Sequence, residues 1–254
     1  MPISPSDPLR ASRSSVTGPV QASKPNRLLA ALEPQDRKRL EPHLEPVELA
    51  LDEVLNAPGK RLPGVYFPAG SIISLVYETE DGDTSQIGIV GNEGMVGLSL
   101  ALGTGRNLAR SVVQSAGRAY RIDAKVIRGE FKAGGAVQQL LLCYMQALLI
   151  QIAQTAVCNR HHTIDQQLCR WLLMSLDRVP STRLAMTQEM MARMLGVRRE
   201  GVTEAAGKLQ REGAINYKRG SIEVLDRQKL ESLACECYEV VQSAFGRLLP
   251  GSQD

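Results

Sequence analysis

Apolar and polar positions change rhythm several times along this chain, and each change predicts an element. Residues 26–49, "NRLLAALEPQDRKRLEPHLEPVEL", read as a short helix broken by Pro34 and followed by another helical turn or two. From 47 to about 122 the texture becomes short apolar runs cut by Gly and Asp. Within it "IISLVYET" and "TSQIGIV" flank "EDGD", a hairpin signal. Several such strands at short spacing predict a barrel or sandwich. A long helix follows, from about Ala136 to Cys158, in which Leu141, Met145, Leu148 and Ile152 recur at spacings of four, three and four. Leu142, Leu149, Ala153 and Ala156 form a second apolar face. A helix apolar on two faces needs two neighbours. One is expected to be the β domain; the other is the same helix of a second subunit, with Leu141, Met145, Leu148 and Ile152 as the seam. Burial inside one monomer accounts for the pattern equally well. After "CNRHH", the stretch "TIDQQLCRWLLMSLDRV" places Leu168, Trp171, Leu172 and Leu176 on one helical face, and Pro180 ends it.

Residues 187–212, "TQEMMARMLGVRREGVTEAAGKLQRE", predict two short helices about a tight turn. Thr187 is a natural N-cap, and Glu189 places an acid in the first turn. Met190, Met191, Met194 and Leu195 form an apolar face, Gly196 suits a left-handed turn, and Val197 can tuck between the helices. The second helix, from Arg198 to about Arg211, turns Val202, Ala205, Ala206 and Leu209 inward. Outward it carries Arg199, Glu200, Thr203, Glu204 and Lys208. "AINYKRGSIEVL" then has the form of a hairpin with Lys218 and Arg219 at its tip, completing a winged helix. Arginines at a helix start oppose the helix dipole. They become useful against a polyanionic groove, where Arg bridges guanine O6 and N7 and Glu accepts from cytosine N4. The wing-tip cations suit phosphates, and Thr187, Gln188 and Arg198 border the same surface. A solvated helical hairpin would share the charge pattern but needs neither the turn glycine nor the basic wing.

Charge sharpens this reading. The whole chain carries a formal +3, yet residues 183–229 hold ten Lys/Arg against six Asp/Glu, so the excess sits in the winged segment. Five cysteines, an odd number lying mostly in helical patterns, predict reduced thiols and a cytoplasmic setting. Residues 1–25, rich in Ser and Pro and without a continuous apolar run, read as a flexible tail. Residues 133–159 contain no charge and resemble a membrane span, but five glutamines interrupt them, so a buried helix and no membrane partner are expected. "CNRHH" offers Cys158, His161 and His162 to a metal, but no fourth ligand is evident at that spacing and helix-end His commonly caps, so no metal or other cofactor is expected. Cys235 and Cys237 in "ACECY" suit a redox role, although the spacing is not Cys-x-x-Cys. No P-loop, HExxH or GxSxG run is present, so the chain is not expected to be an enzyme.

The order of parts over roughly 26–238, with "LGVRREGVTEAAGKLQREGAI" and "CNRHHTIDQQLCRWLL", resembles the Crp/Fnr family of bacterial transcription regulators. "ACECY" is similar to a tail found in a subgroup of that family. The resemblance implies an α+β chain: an N-terminal jelly roll similar to cyclic-nucleotide-binding domains (26–132), a dimerisation helix (133–160), a winged helix (161–238) and a C-terminal tail (239–254). It implies that Arg199 and Glu200 read bases of a palindromic operator in double-stranded DNA, that the protein is a homodimer, and that RNA polymerase is a further partner. Where the best-known members carry an Arg four residues after that Glu, this chain has Glu204. The family's phosphate cassette maps onto "GNEGMVGLSLALGTGRNLARSVVQ", giving a candidate effector pocket of Glu93, Gly94, Met95, Gly97, Arg110 and Ser111. Here Glu93 precedes its glycine instead of following it, so the carboxylate that would hold a ribose hydroxyl is displaced, and the effector is left unassigned. The alternative reading is a small-ligand sensor that acts through a protein partner instead of DNA.

Overall fold

The computed structural model describes residues 25–60, 62, 64–103, 105 and 109–249. The expected tail at 1–25 lies outside the described residues apart from Pro25. The chain enters through α1 (Arg27–Ala30) and α2 (Pro34–Leu40), with Pro34 at a helix start, where its missing N–H costs nothing. Asn26 caps α1 by accepting from the Leu29 N–H. Its amide also donates to the carbonyls of Pro68 and Gly94, pinning the entry to the β domain.

Among the described residues seven strands follow: β1 (Glu45–Leu49), β2 (Val54–Asn56), β3 (Gly64–Pro68), β4 (Ile72–Glu78), β5 (Thr84–Val90), β6 (Arg110–Ser115) and β7 (Gly117–Asp123). They form two antiparallel sheets, β1-β7-β3 and β2-β6-β4-β5, in line with the barrel or sandwich that the short apolar runs predict and with the β-roll that the resemblance implies. β4 and β5 are the expected hairpin, pairing Ile73 with Val90 through Glu78 with Thr84. β4 is buried continuously from Ile72 to Val76, since layers cover both of its faces. A single turn, α3 (Leu98–Ala101), lies between the fifth and sixth strands.

After β7 an unanticipated helix, α4 (Ala124–Ala133), is capped by Asp123 and stopped by the Gly134–Gly135 pair, both with positive φ. α5 (Gly135–His161) is the long helix. It is long and apolar enough to cross a membrane, but one stripe, including Leu141, Tyr144, Leu148, Gln151 and Cys158, is buried within this chain. Gln151, an amide that would be costly in lipid, instead accepts the Ile89 N–H at 2.6 Å. The seam expected at Leu141, Met145, Leu148 and Ile152 is corrected by this placement. Leu141 and Leu148 belong to the chain's own core, while Met145 and Ile152 sit at its margin. The outward stripe is the second apolar face: Leu149 is 58% exposed, Ala153 and Ala156 are exposed, and Leu142 is partly so.

α6 (Ile164–Leu176) opens with a capping box between Thr163 and Gln166. The winged helix comprises β8 (Arg183–Ala185), α7 (Gln188–Leu195), α8 (Arg199–Arg211), β9 (Ile215–Lys218) and β10 (Ser221–Val224), followed by α9 (Arg227–Leu233). β8 was not anticipated; it pairs with β10 and makes the wing three-stranded, in the order β8-β10-β9. The C-terminal tail expected at 239–254 is also corrected. α10 (Cys237–Leu248) is a helix that buries Cys237, Val241, Ala244 and Phe245 and runs back along α5, where Phe245 meets the Tyr144 ring edge-on at 6.5 Å. Asp177, at the end of α6, anchors this part by accepting from Arg227 at 2.7 Å, from Tyr238 at 3.1 Å and from Gln242.

Candidate nucleic-acid interface

Each local device of the expected helix–turn–helix is present. The Thr187 hydroxyl accepts from the Met190 N–H at 3.1 Å, which starts α7. Gly196 ends it in the left-handed region at φ 65°, and a Cβ there would lie 3.1 Å from the Ser85 hydroxyl of the β-roll. The left-handed backbone thus favours glycine there, and a Cβ would also require Ser85 to give by a few tenths of an ångström. Val202, Ala205, Ala206 and Leu209 are buried as the inward face of α8. Arg198 is the residue before the helix, in extended conformation, so α8 begins one residue later than the pattern predicts.

Arg198, Arg199, Glu200, Thr203, Glu204 and Lys208 are all exposed along one side of α8. Among the described residues Arg198, Arg199, Lys218 and Arg219 make no ion pair within 4 Å. Thr203 lies within hydrogen-bond reach of both the Gln188 side-chain oxygen (3.1 Å) and the Arg199 carbonyl (2.9 Å), which links the two helices at the surface. Lys208 differs from its companions: its ammonium donates to Asp165 of α6 at 2.6 Å, and that bond raises its pKa. A phosphate at Lys208 would have to compete with Asp165. The hairpin turn between Lys218 and Ser221 places Arg219 and Gly220 at the tip, with Gly220 at φ 78°.

The candidate effector residues are not brought together in the manner the resemblance implies. Glu93 is buried and paired with Arg178, whose Nη2 and Nε donate to one of its oxygens at 2.7 and 2.8 Å. That carboxylate faces the region after α6, so the expectation that it serves an effector is corrected. Gly94 lies under the Tyr144 ring, where a Cβ would clash at 2.5 Å, and the Met95 carbonyl accepts from the Tyr144 hydroxyl at 2.8 Å. Burial raises the Tyr144 phenol above its ordinary range. Gly97 adopts φ 111° against Val65. On β6, Arg110 lies 3.7 Å from Glu78, and Ser111 is buried with no hydrogen-bond partner for its hydroxyl among the described residues.

Sequence reasoning missed a polar network between the β-roll and α6. Trp171 donates to Gln86 at 2.7 Å, and the Gln86 amide donates to Ser74 at 2.6 Å and Gln114 at 3.0 Å. Gln114 in turn donates to Ser175 at 3.0 Å. All these groups are buried, so each bond satisfies a polar atom that water does not reach. Sequence reasoning also missed the convergence of Cys158 and His162 with Cys235 and Cys237, while His161 points away exposed. The signal for it was split between "CNRHH" and "ACECY", which lie far apart in the chain.

Comparison with known proteins agrees with this geometry. A family model described as a Crp-like helix-turn-helix domain matches residues 166–233. No curated protein matches the chain in sequence. Among solved structures, a transcriptional regulator of the Crp/Fnr family from Eubacterium rectale superposes with TM-score 0.64 at 18% identity, covering 81% of this chain and 96% of the other. FixK2 from Bradyrhizobium japonicum gives 0.63 at 14%, covering 76% and 98%. A CRP/FNR-family transcriptional regulator from Thermus thermophilus gives 0.58 at 21%, covering 75% and 98%. With its β-roll, long helix and C-terminal winged segment, the chain has the fold of the Crp/Fnr-family regulators and carries their helix–turn–helix domain.

Proposed function

We propose that the protein is a homodimeric, sequence-specific DNA-binding transcription regulator, working in a bacterial cytoplasm and recruiting or blocking RNA polymerase. The observation that carries this is the exposed side of α8, where Arg199 and Glu200 make no ion pair with other described residues at the start of the second helix of a segment matching a Crp-like domain. In the major groove these are the positions that reach base edges, while Lys218 and Arg219 grip phosphates. The outward stripe of α5, with Leu142, Leu149, Ala153 and Ala156 flanked by the half-buried Met145 and Ile152, supports pairing of two copies along that helix. Two α8 helices would then meet successive major grooves about 34 Å apart. The β-roll and α6, joined through Gln86 and Trp171, give that arrangement its support.

Selection of bound sequences from a random DNA pool tests the proposal. The expected product is an inverted repeat, bound with an affinity that falls steeply as salt rises. A pool with no enriched motif and a flat salt response would reject it. Arg199→Ala is expected to cost about 1–3 kcal/mol and to relax preference at one base pair in each half-site. Lys218→Ala is expected to weaken all sequences alike and to reduce the salt slope by about one. If Arg199→Ala leaves every position's preference intact, its base-reading role is wrong.

A further inference from the structure

Four potential ligands from two distant stretches meet at the C-terminal end of α5. Cys158 and His162 come from that helix end, and Cys235 and Cys237 from the junction of α9 and α10. The ligand atoms all lie within 4.8 Å of one another. Cys158 Sγ is 3.5 Å from Cys235 Sγ, and Cys237 Sγ is 3.4 Å from His162 Nδ1. Around a tetrahedral zinc, bonds of about 2.3 Å to sulfur and about 2.0 Å to nitrogen give an S–S edge of roughly 3.8 Å and an S–N edge of roughly 3.5 Å. The spacing thus fits a single ion. An iron–sulfur cluster would need a wider frame, because its cysteines bind separate irons.

The surroundings carry the same signature. His162 Nε2 lies 3.3 Å from a Glu236 carboxylate oxygen, so the far side of the ring is engaged and Nδ1 is turned to the sulfurs, the carboxylate–histidine arrangement that orients metal-binding imidazoles. The Gln154 amide donates to Cys237 Sγ at 3.2 Å, as an outer-shell donor to a thiolate does. An independent feature is Arg170, which is only 4% exposed. Its Nη1 bonds to Thr155, one turn before Cys158, and to the Met174 sulfur. Its Nε has no hydrogen-bond partner, and no carboxylate pairs with it within 4 Å among the described residues. A buried guanidinium without a counter-charge is costly. Three thiolates and a neutral imidazole on a divalent zinc sum to one negative charge, which is the charge Arg170 lacks.

We propose that Cys158, His162, Cys235 and Cys237 form a tetrahedral Cys3His zinc site that fastens the segment after the wing to the end of the long helix. Binding releases one proton from each thiol and none from the imidazole. The ion clamps α10 and the winged helix to α5, and its loading sets how rigidly the DNA-binding half is held. The site is independent of the DNA-binding proposal, since metal content is read without DNA.

The test uses the full chain purified under reductant. About one zinc per chain is expected by elemental analysis, with three sulfurs and one nitrogen in the first shell by X-ray absorption. Cobalt refilled after chelation should give the intense visible bands of tetrahedral thiolate coordination and should be displaced by zinc. Cys158→Ser and Cys237→Ser should each lower the bound metal at least tenfold after dialysis. Cys143→Ser, at a thiol outside the cluster, should retain it. X-ray absorption on the unaltered chain decides the matter if the serine variants do not fold. The proposal is overturned by less than about a tenth of an equivalent of zinc after incubation with excess zinc under reductant. It is equally overturned by an octahedral cobalt spectrum.

Discussion

Glu93→Ala is expected to destabilise the protein by about 3–5 kcal/mol, lowering the thermal midpoint by roughly 6–20 °C. The partner left behind is Arg178, with a side chain 4% exposed against 7% for Glu93. Two of its nitrogens donate to the lost carboxylate, while Nη1 donates to the Met174 carbonyl at 2.6 Å. Its stem is packed against Gly91, where a Cβ would lie 2.5 Å from the Arg178 Cγ, so the side chain has no slack with which to swing out to water. Removing the acid therefore strands a charge where solvent does not reach it. The paired change Glu93→Leu with Arg178→Met should recover most of the loss, since a well-packed apolar pair removes both desolvation costs. Thermal unfolding of the three proteins under one condition measures this. A single-variant loss below about 1 kcal/mol would mean that the pair is solvated and contributes as surface pairs do.

If two copies pair along α5 as proposed, Leu149→Lys is expected to yield a monomer and to weaken binding to an inverted-repeat DNA at least 100-fold, because two linked half-site contacts gain roughly 10²–10⁴ in avidity over one. Leu149 is central in the outward stripe of α5 and 58% exposed in the single chain, so a lysine there is tolerated by the monomer's fold. It is not tolerated between two apposed helices, where its charge would be desolvated. Sedimentation and a single-half-site DNA control separate the two effects: half-site affinity should hold while palindrome affinity falls. A dimeric Leu149→Lys protein would place the pairing surface elsewhere. Leu148, one residue earlier, is buried against the chain's own sheet, and a lysine there should unfold the protein instead.

That one-residue difference shows what the sequence could and could not convey. The winged helix was legible because its signals are local: a threonine cap, a left-handed glycine, small inward residues on α8 and a basic hairpin all act within a few positions of one another. The β-hairpin from Ile72 to Val90 was legible for the same reason. On α5, stripes offset by one position point about 100° apart, and both are apolar. Only the position of the β-roll and α10 decides which one is covered. The role of Glu93 was illegible because Arg178 lies 85 residues away. The Cys/His convergence likewise joins Cys158 to Cys235 across 77 residues. α10 is a different case. Val241, Ala244, Phe245 and Leu248 recur at helical spacing, so the helix was encoded locally, and the expectation of a tail passed over it.

α10 follows the winged segment in sequence yet packs on α5, which precedes it. Because it covers one flank of α5 and is the last described helix to leave the ribosome, that flank stays bare while the β-roll and winged segment are already able to collapse. Until α10 docks, α5 has two apolar sides uncovered instead of one, the kind of transient surface that favours aggregation. Once docked, Val241, Ala244 and Phe245 close that flank, and the outward stripe with Leu142, Leu149 and Ala156 is the apolar surface α5 keeps exposed.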